Sequence, residues 1–78
     1  MEKEVLVHKC RLPVDAEEYE VMIYSRPDGS HVAKTVIDAY DVIINDGPTL
    51  DAVLEKHRAL LPLAINSRQL LSNHRKND

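Results

Sequence analysis

DGPTLDAVLEKHRALLP, residues 46–62, marks the point where the chain changes its period. Leu50, Val53, Leu54, Leu60 and Leu61, with Ala64 beyond them, fall on one face of a 3.6-residue repeat. His57 occupies a slot on that same face. Pro48 lacks an N–H and suits the edge of a helix start, Asp46 or Thr49 can cap it, and Asp51 complements the dipole of the first turn. Pro62, whose ring clashes with the carbonyl of Arg58, is expected to kink or end the helix near Leu61. Residues 65–74 then restart as a second helical piece, with Asn66 or Ser67 as its cap and Ile65, Leu70 and Leu71 as its apolar contacts. Residues 74–78 read as a frayed tail.

Upstream of residue 46 the period is that of strands. EVLVHKCRL (4–12) sets Val5, Val7 and Lys9 on one face and Leu6, His8 and Cys10 on the other, and Pro13 is expected to end it before an acidic loop, VDAEE. EYEVMIYS (18–25) alternates Tyr19, Val21 and Ile23 against Glu20, Met22 and Tyr24. RPDGS (26–30) is the sharpest local signal. Pro27 and Asp28 suit the two corners of a type I turn, and Gly29 supplies the left-handed residue of a G1 bulge, so HVAKTVI (31–37) returns as an antiparallel partner. DAYD turns again, and YDVIIN (40–45) reads as the most buried strand of the four. The order is β-β-β-β-α, an α+β fold in which a small, mostly antiparallel sheet of three to four strands is covered on one face by a C-terminal helix.

Seventy-eight residues make one domain, 1–78, with no Phe or Trp and an aliphatic core. A core this small makes association with a second copy or a partner attractive. The single cysteine, Cys10, fits a reducing, cytoplasmic setting. No apolar run approaches the ~18–20 residues that span a bilayer. The net charge of −3 is unevenly spread: residues 1–55 carry −7, while residues 56–78 carry +4 through Lys56, Arg58, Arg68, Arg75 and Lys76 against Asp78. Those bases either complement a helix C-terminus or offer a face to an acidic partner, nucleic acid included.

The residues with chemistry in them do not converge by spacing. His8, Cys10 and His31 could share a sheet face, which would suit zinc or a Cys–His pair, but no CxxC or HxxxH pattern accompanies them. Asp38, Asp41 and Asp46 flank the fourth strand, where aspartates commonly bond local backbone. Gly29 and Gly47 are turn glycines outside any phosphate-binding spacing. We therefore expect no catalytic set, no metal and no cofactor. His57 is expected to pack against the sheet with one ring edge at solvent or at a tyrosine hydroxyl, so that His57→Leu would be neutral or stabilising near pH 7.

The stretch from Tyr19 to Ile65 resembles the HicB-like antitoxin domain. The likeness rests on DGSHVA (28–33) and on DGPTLDAVLEKHRALLPLAI (46–65), which is similar to that family's Gly-Asp-Thr-Leu-x-x-Ala-Leu helix start. The family's Pro-x-Leu-Pro-Gly stretch is replaced here by TVIDAYDV (35–42), and residues 4–12 have no counterpart. The resemblance implies a β-β-β-α unit of RNase-H-like form without its catalytic acids, and a role in binding and masking a protein toxin.

The function expected from the sequence is a non-enzymatic protein-interaction module, self-associating and antitoxin-like. Residues 4–12 or the segment after Pro62 would lie at the contact. The alternative is a nucleic-acid-associated regulator using Arg58, Arg68, Arg75 and Lys76. A metal- or thiol-dependent enzyme is the third. His57, Arg58, Arg68, Arg75 and Lys76 are the candidate interaction residues.

Overall fold

The computed structural model describes residues 3–76, with side chains as far as Leu71. Four strands, β1 (Val5–Val14), β2 (Glu17–Ser25), β3 (His31–Asp38) and β4 (Asp41–Gly47), are followed by one helix, α1 (Leu50–Lys76). The strands form an antiparallel meander in the order β1-β2-β3-β4, so β1 and β4 are the two edges. The α+β class and the order β-β-β-β-α stand as expected.

The β2–β3 hairpin follows from RPDGS. The Gly29 N–H donates to the Arg26 carbonyl at 3.0 Å, the Arg26 N–H donates to the Ser30 carbonyl at 2.9 Å, and Gly29 has φ 91°. The Asp28 carboxylate accepts from both the N–H and the hydroxyl of Ser30, at 2.9 and 2.7 Å. At the next turn the Asp38 carboxylate accepts from the Tyr40 N–H at 2.9 Å.

Pro13 does not end the first strand. It pairs with Glu18 inside β1, and the expected VDAEE loop is a tight turn at Asp15 and Ala16. Asp15 carries φ 56°, a left-handed conformation that aspartate tolerates better than most residues. Val14 opposite Glu17 closes this turn, and antiparallel pairing alternates inward and outward hydrogen bonding from there. The nitrogen of Pro13 thus faces the free edge of the sheet, where a missing N–H costs no ladder bond. A bulge between Leu6 and His8 also shifts the faces of β1. Leu6 lies opposite Tyr24 while His8 and Cys10 lie opposite Ile23 and Val21, so Leu6 does not share their face.

The strand after DAYD is not the most buried. β4 buries only Ile43, whereas β3 buries Val32, Ala33 and Thr35, because β3 lies inside the sheet and β4 at its margin.

Thr49 caps α1, its hydroxyl accepting from the Ala52 N–H at 3.1 Å. Pro62 does not break the helix, and no second piece starts at residue 65. Val53, His57, Leu61 and Ile65, each four residues from the last, form one row against the sheet, and all are at most 4% exposed. That packing holds the chain helical through the proline. Val53 joins Val21, Ile23 and Ala33 in one apolar cluster, while Leu61 and Ile65 join Val14 and Ile43 in another. The expected tail at 74–78 is helical backbone as far as Lys76 and otherwise lies outside the described residues. No helix among the described residues is long and apolar enough to cross a membrane.

Candidate functional site

His57 lies between the two apolar clusters, fully buried. Its partners are neither solvent nor a tyrosine. The ring sits against the Thr35 hydroxyl through Nε2, at 2.7 Å, and against the Asn45 Oδ1 through Nδ1. Asn45 is oriented by its own Nδ2, which donates to the Val53 carbonyl at 3.1 Å. That leaves the amide oxygen to accept, so Nδ1 carries the proton and Nε2 accepts from Thr35. Every polar atom of this neutral imidazole is satisfied. Burial holds the His57 pKa below the usual histidine value, since a charged ring loses its water. The arrangement joins β3, β4 and α1 and leaves no ring nitrogen for a substrate.

Arg68 is turned inward. Its Nε and Nη2 fork onto the Asp41 carboxylate, the latter at 2.7 Å, and its Nη1 donates to the Ala64 carbonyl at 3.0 Å. The bidentate pair ties the second half of α1 to the start of β4. It holds the Asp41 carboxyl below the ordinary carboxylate range and the Arg68 guanidinium above its own. Arg58 is exposed on α1, and the side chains of Arg75 and Lys76 lie outside the described residues. Of the two expected bases whose side chains are described, Arg58 is exposed and Arg68 is engaged with Asp41.

No group of three His, Cys, Asp or Glu side chains is placed to hold a metal ion among the described residues. Cys10 is a half-buried free thiol on the helix-facing side of β1. The aspartates divide their work: Asp38 bonds its own turn, Asp41 holds Arg68, and Asp46 lies 3.7 Å from Arg26.

Sequence reading passed over the face of the sheet that α1 does not cover. There the register sets Val36 opposite Val42, Lys34 between Met22 and Ile44, and Val32 between Tyr24 and Asp46. Val36, Val42 and Ile44 are 51%, 39% and 57% exposed. Leu6, 47% exposed, belongs to the same face. Ion pairs border it: Lys9 with Glu20 at 3.5 Å, Arg11 with Glu18 at 3.8 Å, and Arg26 with Glu4 at 3.1 Å. The signal was in the alternation of β3 and β4, whose outward positions hold Val and Ile where a solvated face carries polar residues.

Compared with family models, with curated proteins and with solved structures, the chain gives no match.

Proposed function

We propose that this chain is a non-enzymatic protein-interaction module that pairs with a second copy of itself through the uncovered face of its sheet. The observation that carries this is the row of Val36, Val42 and Ile44 at solvent-facing positions. A standard interface takes roughly 800 Å² from each partner. Two such faces stacked about a two-fold axis would form a second apolar layer on the side that α1 leaves open. Lys34 and Asp46 lie on this face, two residues apart in register, with Asp46 3.7 Å from Arg26. The resemblance of residues 19–65 to an antitoxin domain fits a binding role, and the free cysteine fits a reducing cytoplasm.

Sedimentation velocity over a range of concentrations tests the reading. The expected result is a dimer at micromolar concentration that becomes a monomer, still folded, in Val36→Glu and Ile44→Glu. A wild-type chain that stays monomeric, or variants that stay dimeric, would overturn it.

A further inference from the structure

We infer that the free edge of β1 is a docking strand for an extended segment of another protein in which acidic and apolar residues alternate. β1 is ten residues long and has a neighbour on one side only. The turn at Asp15 fixes which of its main-chain groups face outward: those of Lys9 and Arg11, in the same row as Pro13. Val5, Leu6 and Val7 are about half exposed at its start. An edge strand is a template for an added strand, and here the pairing stretch lies between the bulge at Leu6/His8 and Pro13, whose nitrogen has no N–H to give.

A groove of about 420 Å³ runs beside this edge, between β1 and α1. Leu12, Val14, Leu61 and Pro62 give it an apolar lining, and Arg58 stands at its rim. Pro62 has no N–H to offer the Arg58 carbonyl. Arg11, at the same groove, has its side chain paired with Glu18 at 3.8 Å.

Charge selects the occupant. A strand laid along β1 would place alternate side chains opposite Lys9 and Arg11, whose present ion pairs are long and exposed. Acids are favoured at those positions, and a second β1 would set base opposite base. The intervening side chains would drop into the groove, which favours apolar residues. On the other side of the same strand β2 sets Glu20 opposite Arg11 and Met22 opposite Lys9, reaches Lys9 and Arg11 diagonally with Glu20 and Glu18, and turns Tyr19 and Val21 to the helix side.

The test is an NMR titration of the isotope-labelled full chain with two acetylated hexapeptides, EVEVEV and KVKVKV. The expected result is saturable shifts from EVEVEV confined to residues 9–13 and 58–62, with KVKVKV weak. Lys9→Gln and Arg11→Gln, both at exposed side chains, should each weaken EVEVEV by about threefold to fivefold without altering the fold. Absence of binding at millimolar peptide, equal binding of KVKVKV, or shifts elsewhere would overturn the proposal. So would open-ended assembly of the chain alone through β1 and the acidic β4 edge, which would make the occupant another copy.

Discussion

The Thr35 hydroxyl and the His57 Nε2 lie 2.7 Å apart, both groups fully buried, at the point where the middle of the sheet meets the middle of the helix. An apolar residue at position 57 would strand both Thr35 and Asn45. His57→Leu is therefore expected to destabilise the domain by about 1–3 kcal/mol rather than leave it unchanged, since a buried polar group without its partner bears its full desolvation cost. Adding Thr35→Val should recover part of that loss. Chemical denaturation of the two single variants and the double variant measures the coupling.

The same residue sets a pH dependence. Its folded-state pKa lies below the unfolded value, so on acidification the unfolded chain takes up a proton that the native ring refuses. Stability is unaffected well above ~6.5, falls as pH drops through that value, and falls no further from this source below the folded pKa. Denaturation midpoints between pH 8 and pH 5 should show this slope in the native chain and lack it in His57→Gln.

Gly29 has φ 91° and nothing within 4 Å of the position a Cβ would take. Its requirement is conformational and not steric. Gly29→Ala should cost about 1 kcal/mol, and Gly29→Asn less, because asparagine enters the left-handed region more readily. Thermal melts of both variants check the order.

Pro62 lies inside a continuous helix and deprives the Arg58 carbonyl of its donor. Pro62→Ala should restore that bond and stabilise the chain by about 1–2 kcal/mol. An unchanged melting midpoint would mean that the proline carries no such penalty in this helix.

Arg68→Ala should loosen the second half of α1 by freeing it from Asp41. Amide exchange is expected to quicken from residue 64 onward and to stay unchanged around Val53.

What was legible in the sequence was local. RPDGS specifies its turn through Pro27, Asp28 and Gly29 alone, and Thr49 caps the helix three residues from its target. What was misread depended on distant partners. Pro13 reads as a strand end because nothing nearby in the sequence says that its nitrogen faces an open edge. The partners of His57 lie 22 and 12 residues away, and Arg68 reaches an aspartate 27 residues back, so neither was visible in a window of helical length. The helix persists through Pro62 because Leu61 and Ile65 are buried against the sheet, an effect of packing that local propensity does not contain. The uncovered face was written in the alternation of β3 and β4, but only their register showed Val36, Val42 and Ile44 as neighbours.

The central claim is that this face meets a second copy of the chain, and isotope-filtered NMR on a mixture of labelled and unlabelled protein tests it most directly. The expected result is a set of intermolecular contacts joining the methyl groups of Val36, Val42 and Ile44 of one copy to the same face of the other. A dimer whose intermolecular contacts arise instead from Leu63, Leu70 and Leu71, which α1 leaves exposed, or a chain that gives none at millimolar concentration, would contradict it.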